Sequence, residues 1–181
     1  MQLHPDISEV VLTEEQIKAR VAELGAQITA DYAGEDLVVV SVLRGAAIYM
    51  ADLVRAIDMD VEMDFMAVSS YGDGVTSSGV INVTKDLSSS IEGKNVLIAE
   101  DILDTGQTLA YLIEMLRARN PKSITVAAFL KKDGTQKVDV DCKYVGFACP
   151  DGFIVGYGLD YAEHYRNLPY IGILKPSVYE N

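Results

Sequence analysis

The sequence predicts an α/β fold, with a central parallel sheet flanked by helices and a small strand-rich hood subdomain. Three observations predict it. Apolar runs of strand length alternate with segments of helical periodicity through the first 130 residues, the pattern of parallel strands joined by helical crossovers. The run Leu37 to Leu43 is continuous rather than alternating, as in a strand covered on both faces. The last third instead carries the short apolar runs Tyr144 to Ala148, Phe153 to Tyr157 and Tyr170 to Leu174.

The first element is a helix over roughly 13–32. Thr13-Glu14-Glu15-Gln16 is a capping-box pattern, and Ile17, Val21, Leu24 and Ile28 make an apolar stripe behind it. Leu37 to Leu43 is the first sheet strand. Gly45 to Ile57 reads as a helix with Ile48, Leu53 and Val54 facing inward. Val61 to Ser69 and Val80 to Asp86 are the next strands. Between them, Ser70 to Gly79 is rich in glycine and serine and exceeds the usual hairpin connection of about 2–5 residues. It is expected to be a mobile loop acting as a lid. A strand over 95–99, a helix over 106–119 closed by Asn120-Pro121, and a buried strand from Ser123 to Leu130 complete the alternating part. The whole of 1–181 reads as one domain, with a core of about 35–145 and a hood built from the N-terminal segment and about 146–181.

Composition narrows the function classes. The chain has 181 residues, 49% of them hydrophobic, which suffices for a full core. Its formal net charge is −12, so duplex nucleic acid and anionic membrane are disfavoured partners. A small anionic substrate remains compatible, because local dipoles, basic side chains and a divalent cation can reverse the field inside one cleft. The start Met1-Gln2-Leu3-His4-Pro5-Asp6 lacks a basic and then apolar region, and the cytoplasm is the expected compartment. Cys142 and Cys149 make no disulfide framework and lack metal-type spacing with His4 or His164.

The most informative segment runs from Glu100 through Asp101, Ile102, Leu103, Asp104, Thr105, Gly106 and Gln107 to Thr108. It follows the strand Val96 to Ala99 and precedes a helix whose Leu109, Leu112, Ile113 and Leu116 recur at helical spacing. Ligands bind at that position in open α/β sheets. The turn Asp104 to Thr108 aims backbone N–H groups and two hydroxyls at an anion, aided by the helix N-terminus. Glu100 and Asp101 suit hydroxyl groups or a divalent cation. A phosphate cradle beside acids for a diol describes a phosphorylated ribose.

This segment resembles the phosphoribosyl pyrophosphate (PRPP) motif of type I phosphoribosyltransferases, in the form found in the 6-oxopurine (hypoxanthine–guanine) branch. Four other places carry the resemblance, over nearly the whole chain. Leu43-Arg44-Gly45 is similar to the family's pyrophosphate loop, which often has a strained or cis peptide and makes its contact through backbone groups; Lys is the commoner residue at position 44, and Arg is expected to serve there. Ser70-Tyr71 resembles the lid pair that closes over pyrophosphate. Lys131 resembles the lysine that donates to the purine 6-oxo group. Asp151 to Tyr161 is close to the hood sequence: Phe153 would stack on the base and Ile154 would read it through backbone groups. Asp160 would bind Mg²⁺ and belong to the purine-binding set with Lys131, Phe153 and Ile154, and Arg166 would hold pyrophosphate. Gln107 departs from the apolar residue common in the anion turn.

The resemblance implies purine salvage: transfer of the phosphoribosyl group from PRPP to hypoxanthine or guanine, with Mg²⁺ held by Glu100, Asp101 and Asp160. Asp104 would be the catalytic base, and a homodimer or homotetramer is expected. Three rivals are a PRPP-binding regulatory protein, a transferase for xanthine, adenine or uracil, and a phospho-accepting signalling domain. Asp104, Lys131 and Phe153 favour the 6-oxopurine reading. A phospho-accepting signalling domain also combines paired acids, Thr and Lys, but its acid pair follows the first strand.

Overall fold

A computed structural model describes residues 3–70 and 81–180. In chain order the elements are β1 (Ile7–Leu12), α1 (Glu14–Asp31), β2 (Leu37–Leu43), α2 (Ala47–Ala56), β3 (Glu62–Ser70) and β4 (Ile81–Lys85). They continue with β5 (Asn95–Leu103), α3 (Gln107–Arg117), β6 (Ser123–Lys131), β7 (Tyr144–Ala148), β8 (Ile154–Val155), β9 (Ile171–Leu174) and α4 (Pro176–Tyr179).

The main sheet has the order β4-β3-β2-β5-β6-β7, with every pair parallel except the edge pair β3–β4. Alternate residues of its central strands divide into two cores. Leu37, Val39, Leu97, Ala99, Ala127 and Phe129 pack with the apolar stripes of α1 and α2. Val38, Val40, Val96, Ile98, Val126 and Ala128 pack with Leu109, Leu112, Ile113 and Leu116 of α3. Helices therefore cover both faces, as the unbroken apolar strands require.

Some expectations need correction. Ile48 does not face inward; it is 36% exposed, whereas Tyr49, Met50 and Leu53 are fully buried. The inward stripe is Ala46, Tyr49, Met50 and Leu53, whose 0, 3, 4, 7 spacing leaves Ile48 off the buried face. The strand expected over 95–99 runs on to Leu103, because Ile102 and Leu103 pair with Leu130 and Lys131. Glu100 and Asp101 thus lie within β5 rather than after it, and Lys131 closes β6 rather than following it. The run Tyr144 to Ala148 joins the main sheet beside β6.

A second, antiparallel sheet has the order β1-β9-β8. It pairs Ile7 with Leu174 and Leu12 with Ile171, so segments from both ends of the chain build one small layer. Ile7, Val155, Tyr170 and Leu174 are its core. The apolar run Phe153 to Tyr157 is extended only at Ile154–Val155, because Gly156 and Tyr157 turn away with φ of 104° and 47°.

Near the start of β3, Asp64 is buried, and its carboxylate is well supplied. Oδ1 accepts from Phe65 N at 2.8 Å, and Oδ2 accepts from Ser88 N at 2.6 Å and Ser89 N at 3.3 Å. Lys85 Nζ lies 3.4 Å away. Burial acts to raise its pKa, but the Phe65 and Ser88 N–H groups and Lys85 outweigh that and hold it below the usual carboxylate value. Among the described residues, no helix is long and apolar enough to cross a membrane.

Candidate active site

Parallel strands β2, β5 and β6 end on the same side of the sheet, and the polar residues gather there. The turn after β5 passes through Gly106, whose φ of 77° places it in the left-handed region. A Cβ there would stand 3.0 Å from Val138 O and 3.1 Å from Val140 Cγ2, so both conformation and space call for glycine. No side chain caps α3; Gln107 N has only a long contact of 3.5 Å to Thr105 Oγ1. An uncapped helix start leaves N–H donors for an anion. A cavity at this point is lined by Glu100, Asp104, Thr105, Gly106 and Thr108, with Ile102, Leu103 and Leu109. Gln107 is exposed at the helix start.

Residues 136–138 brace this turn from behind. Lys137 N and Val138 N donate to Thr105 O at 2.9 and 3.4 Å, and Gln136 Nε2 donates to Asp104 O at 3.3 Å. The Asp104 and Thr105 carbonyl groups are thereby occupied.

The acid pair is electrostatically strained. Desolvation first, and the neighbouring Asp101 charge second, push the Glu100 pKa up to about 8. Desolvation also raises Asp101, although the Ile102 N–H at 2.8 Å and the Arg166 charge oppose it. Two carboxyl groups that resist ionisation side by side are a fit for a divalent cation, which would relieve both causes. Among the described residues, no three His, Cys, Asp or Glu side chains are grouped to hold a metal alone. A hard cation here would complete its shell with substrate or water oxygens.

The hood meets the strand ends at Gly45. The Leu43–Arg44 peptide is cis, one bond before the one joining Arg44 to Gly45. A Cβ on Gly45 would lie 1.8 Å from Asp101 Oδ2, and one on Gly158 would lie 2.1 Å from Gly45 O. Only glycines permit this double approach. Arg166 reaches back to the same place: Nη1 donates to Gly158 O at 2.7 Å and Nη2 lies 2.9 Å from Asp160 Oδ1. Its Nε is buried with no partner among the described residues. Arg44, Gly45, Asp101, Asp160 and Arg166, far apart in sequence, converge here.

The residues expected to contact a base are arranged differently. Lys131 ends β6 between Leu103 and Ala148, and its carbonyl accepts from Cys149 N at 2.7 Å. Phe153 is 37% exposed and sits within the hood, with Ile154 next to it opening β8. Its ring stacks on Tyr179 at 4.8 Å and 24°, and meets Tyr161 edge-on at 5.4 Å. Ser70 closes β3 opposite Ile81. Tyr71 and the rest of the expected lid lie outside the described residues. Sequence reasoning assigned no role to Gln136, Glu163 or Tyr179. No local motif marks them, since each matters through a contact distant in sequence or a turn that only the fold creates.

The model of the phosphoribosyl transferase domain matches residues 9–162. A hypoxanthine-guanine phosphoribosyltransferase of Staphylococcus aureus is 53% identical over 179 residues, covering 99% of this chain and 100% of that protein. The Bacillus subtilis protein of the same name is 52% identical, covering 97% of this chain and 98% of its own length. The bifunctional protein TilS/HprT of Listeria innocua is 50% identical over 98% of this chain, which spans only 27% of that longer protein. A crystal structure of a hypoxanthine phosphoribosyltransferase from Staphylococcus aureus superposes with a TM-score of 0.94 at 53% identity, covering 98% of this chain and 97% of that one.

Proposed function

The chain belongs to the phosphoribosyl transferase family, and from that premise we propose that it serves purine salvage, moving the 5-phosphoribosyl group of PRPP onto hypoxanthine or guanine. The observation that carries this reading is the adjacency, within one strand end, of a strained acid pair and a glycine-opened anion turn. One element suits a ribose diol and its cation, the next a 5′-phosphate.

In this reading Thr105, Gly106, Gln107 and Thr108 hold the 5′-phosphate and anchor the sugar, so that the anomeric carbon meets the base. Glu100 and Asp101 bind the ribose hydroxyls and lie near the positive charge that develops on the ring. The bond from the anomeric carbon to pyrophosphate breaks as the bond to the purine imidazole nitrogen forms. Asp104 takes the proton from that imidazole, and the electron pair of the broken bond leaves with pyrophosphate. Lys131 stabilises negative charge on the 6-oxo group, Phe153 offers an aromatic face, and Ile154 reads the base through backbone groups. Backbone groups of Arg44 and Gly45, with the Arg166 guanidinium, receive the pyrophosphate, and Ser70 and Tyr71 close over it. Mg²⁺, held by Glu100, Asp101 and Asp160 together with substrate oxygens, would neutralise the leaving group when bound. The reading includes a single domain with β1, β8 and β9 as its hood, a homodimer or homotetramer, and a cytoplasmic location.

The test is a nucleotide-forming assay with hypoxanthine, guanine, xanthine, adenine and uracil, each with and without PRPP and Mg²⁺. Product is expected from hypoxanthine or guanine only when both are present. Turnover of adenine or uracil alone would overturn the assignment of Lys131 and the hood.

A further inference from the structure

The ring assigned above to stack on the base is itself held by the C-terminal segment. Phe153 immediately precedes β8, and its backbone is tied to the end of β9, where Leu174 N donates to Phe153 O at 2.8 Å. Its side chain has two aromatic neighbours. Tyr179 of α4 stacks on it with centroids 4.8 Å and planes 24° apart, and Tyr161 of the hood turn meets it edge-on at 5.4 Å.

The single turn of α4 is built to present that tyrosine. Pro176 opens it, Val178 N donates to Lys175 O at 3.0 Å, and Glu180 N donates to Pro176 O at 2.9 Å. Lys175 N donates to Asp6 O at 2.9 Å, which pins the start of the turn to the N-terminal segment. Val178 and Tyr179 then pack, partly buried, at the margin of the cluster of Ile7, Val155, Tyr170 and Leu174.

A planar ring has two faces. Tyr179 takes one face of Phe153 and Tyr161 meets the ring edge-on, so the second face is the one left for a base. Phe153 is 37% exposed, and an aromatic side chain that open to water would otherwise visit several rotamers. A base stacking on a mobile ring must arrest it, at a cost in entropy that lowers affinity. Here the stack and the edge contact arrest the ring beforehand, in two geometries that aromatic quadrupoles favour.

We propose that Tyr179 is a positioning residue for the purine, acting through Phe153: it backs that ring and holds it in the orientation that receives the base. The inference rests on the reading of Phe153 as the stacking residue. Tyr179 contributes no contact to the phosphoribosyl group or to pyrophosphate, so its effect falls on base affinity.

Steady-state kinetics of the whole chain, with KM for guanine, hypoxanthine and PRPP measured separately from kcat, test this. Tyr179→Ala should raise KM for both purines by about 2- to 10-fold, the range of an aromatic pair, with kcat and KM for PRPP level. Tyr179→Phe keeps the stack and should match the parent protein. An unchanged purine KM in Tyr179→Ala overturns the proposal. A lowered one does so too, because Tyr179 would then be occupying the face that the base needs. A joint loss of kcat and PRPP affinity also overturns it, as the mark of a residue that only holds the hood together. Phe153→Ala separates the two levels of argument. If it raises the purine KM, and Tyr179→Ala adds nothing in that background, the two residues act as one unit. If Tyr179→Ala costs as much without Phe153 as with it, only the positioning role fails. If Phe153→Ala leaves the purine KM unchanged, the reading of Phe153 fails as well.

Discussion

Asp64 and the pair Glu100–Asp101 are acids set into the same sheet, at opposite ends of its strands. Near the amino end of β3, Asp64 accepts from three backbone N–H groups and lies beside Lys85, and its pKa is lowered despite burial. Near the carboxyl end of β5, burial prevails over the few donors in reach, and both acids are raised. The chain satisfies the first carboxylate itself. It leaves the second pair short of positive charge and of donors, which a bound ligand and cation can supply. A buried acid with its own donors is therefore read as architecture, and one without them as a place prepared for something else.

Substitutions can break this comparison, beginning with the largest effect. Asp104→Asn beside the strained pair should lower turnover by about 10²–10⁴-fold while PRPP still binds and thermal stability stays level. Steady-state rates and PRPP titration check it; near-normal turnover would place the general base elsewhere.

The pH dependence of folding is the next test. Glu100 is raised in the fold, so its contribution is fully present below its unfolded pKa of about 4.3 and is lost as pH rises through about 8. Urea unfolding of the magnesium-free protein should show stability declining across that window, and Glu100→Gln should flatten the decline. Identical slopes in the two proteins would mean that Glu100 is well solvated.

Asp64 should behave in the opposite way. Its lowered pKa stabilises the fold above the unfolded value of about 3.9, and that contribution disappears as pH falls through the folded value. Asp64→Asn should cost about 1–3 kcal/mol at neutral pH, with turnover retained, and the deficit should vanish in acid. Lost activity at full stability would reverse the assignment. The smallest effect belongs to the anion turn. Thr105→Val removes one hydroxyl and should weaken PRPP binding by about 0.5–1.5 kcal/mol, with turnover at saturation little changed.

The same contrast explains what the sequence discloses. Helix α1 is legible because its signals are local: Thr13 N donates to Gln16 Oε1 at 2.8 Å and Gln16 N donates back to Thr13 Oγ1 at 3.3 Å, and behind this box the apolar stripe repeats. The parallel core is legible because apolar strands have a single stable environment. β1 escapes because Ile7-Ser8-Glu9-Val10-Val11-Leu12 lacks a period of two. Its register slips twice against β9, and its partner lies far along the chain. The length of β5 escapes because two acids are poor strand formers, and only pairing with β6 carries the strand through them. At the candidate site, the anion turn is compact enough to read as a motif. The tie from Glu163 to Arg44 spans 119 residues, and the stack of Tyr179 on Phe153 joins α4 to the hood; no periodicity announces either.

The pairing of β1 with β9 has a consequence for synthesis. Leu12 leaves the ribosome long before Ile171, with which it pairs. At about 5–20 residues per second, the first strand waits on the order of ten seconds for its partner. Throughout that interval Ile7 has no layer to enter, while β2, β5 and β6 can already close over α1 and α2. The nascent chain thus acquires its scaffold first and completes its hood layer last, once β9 has arrived.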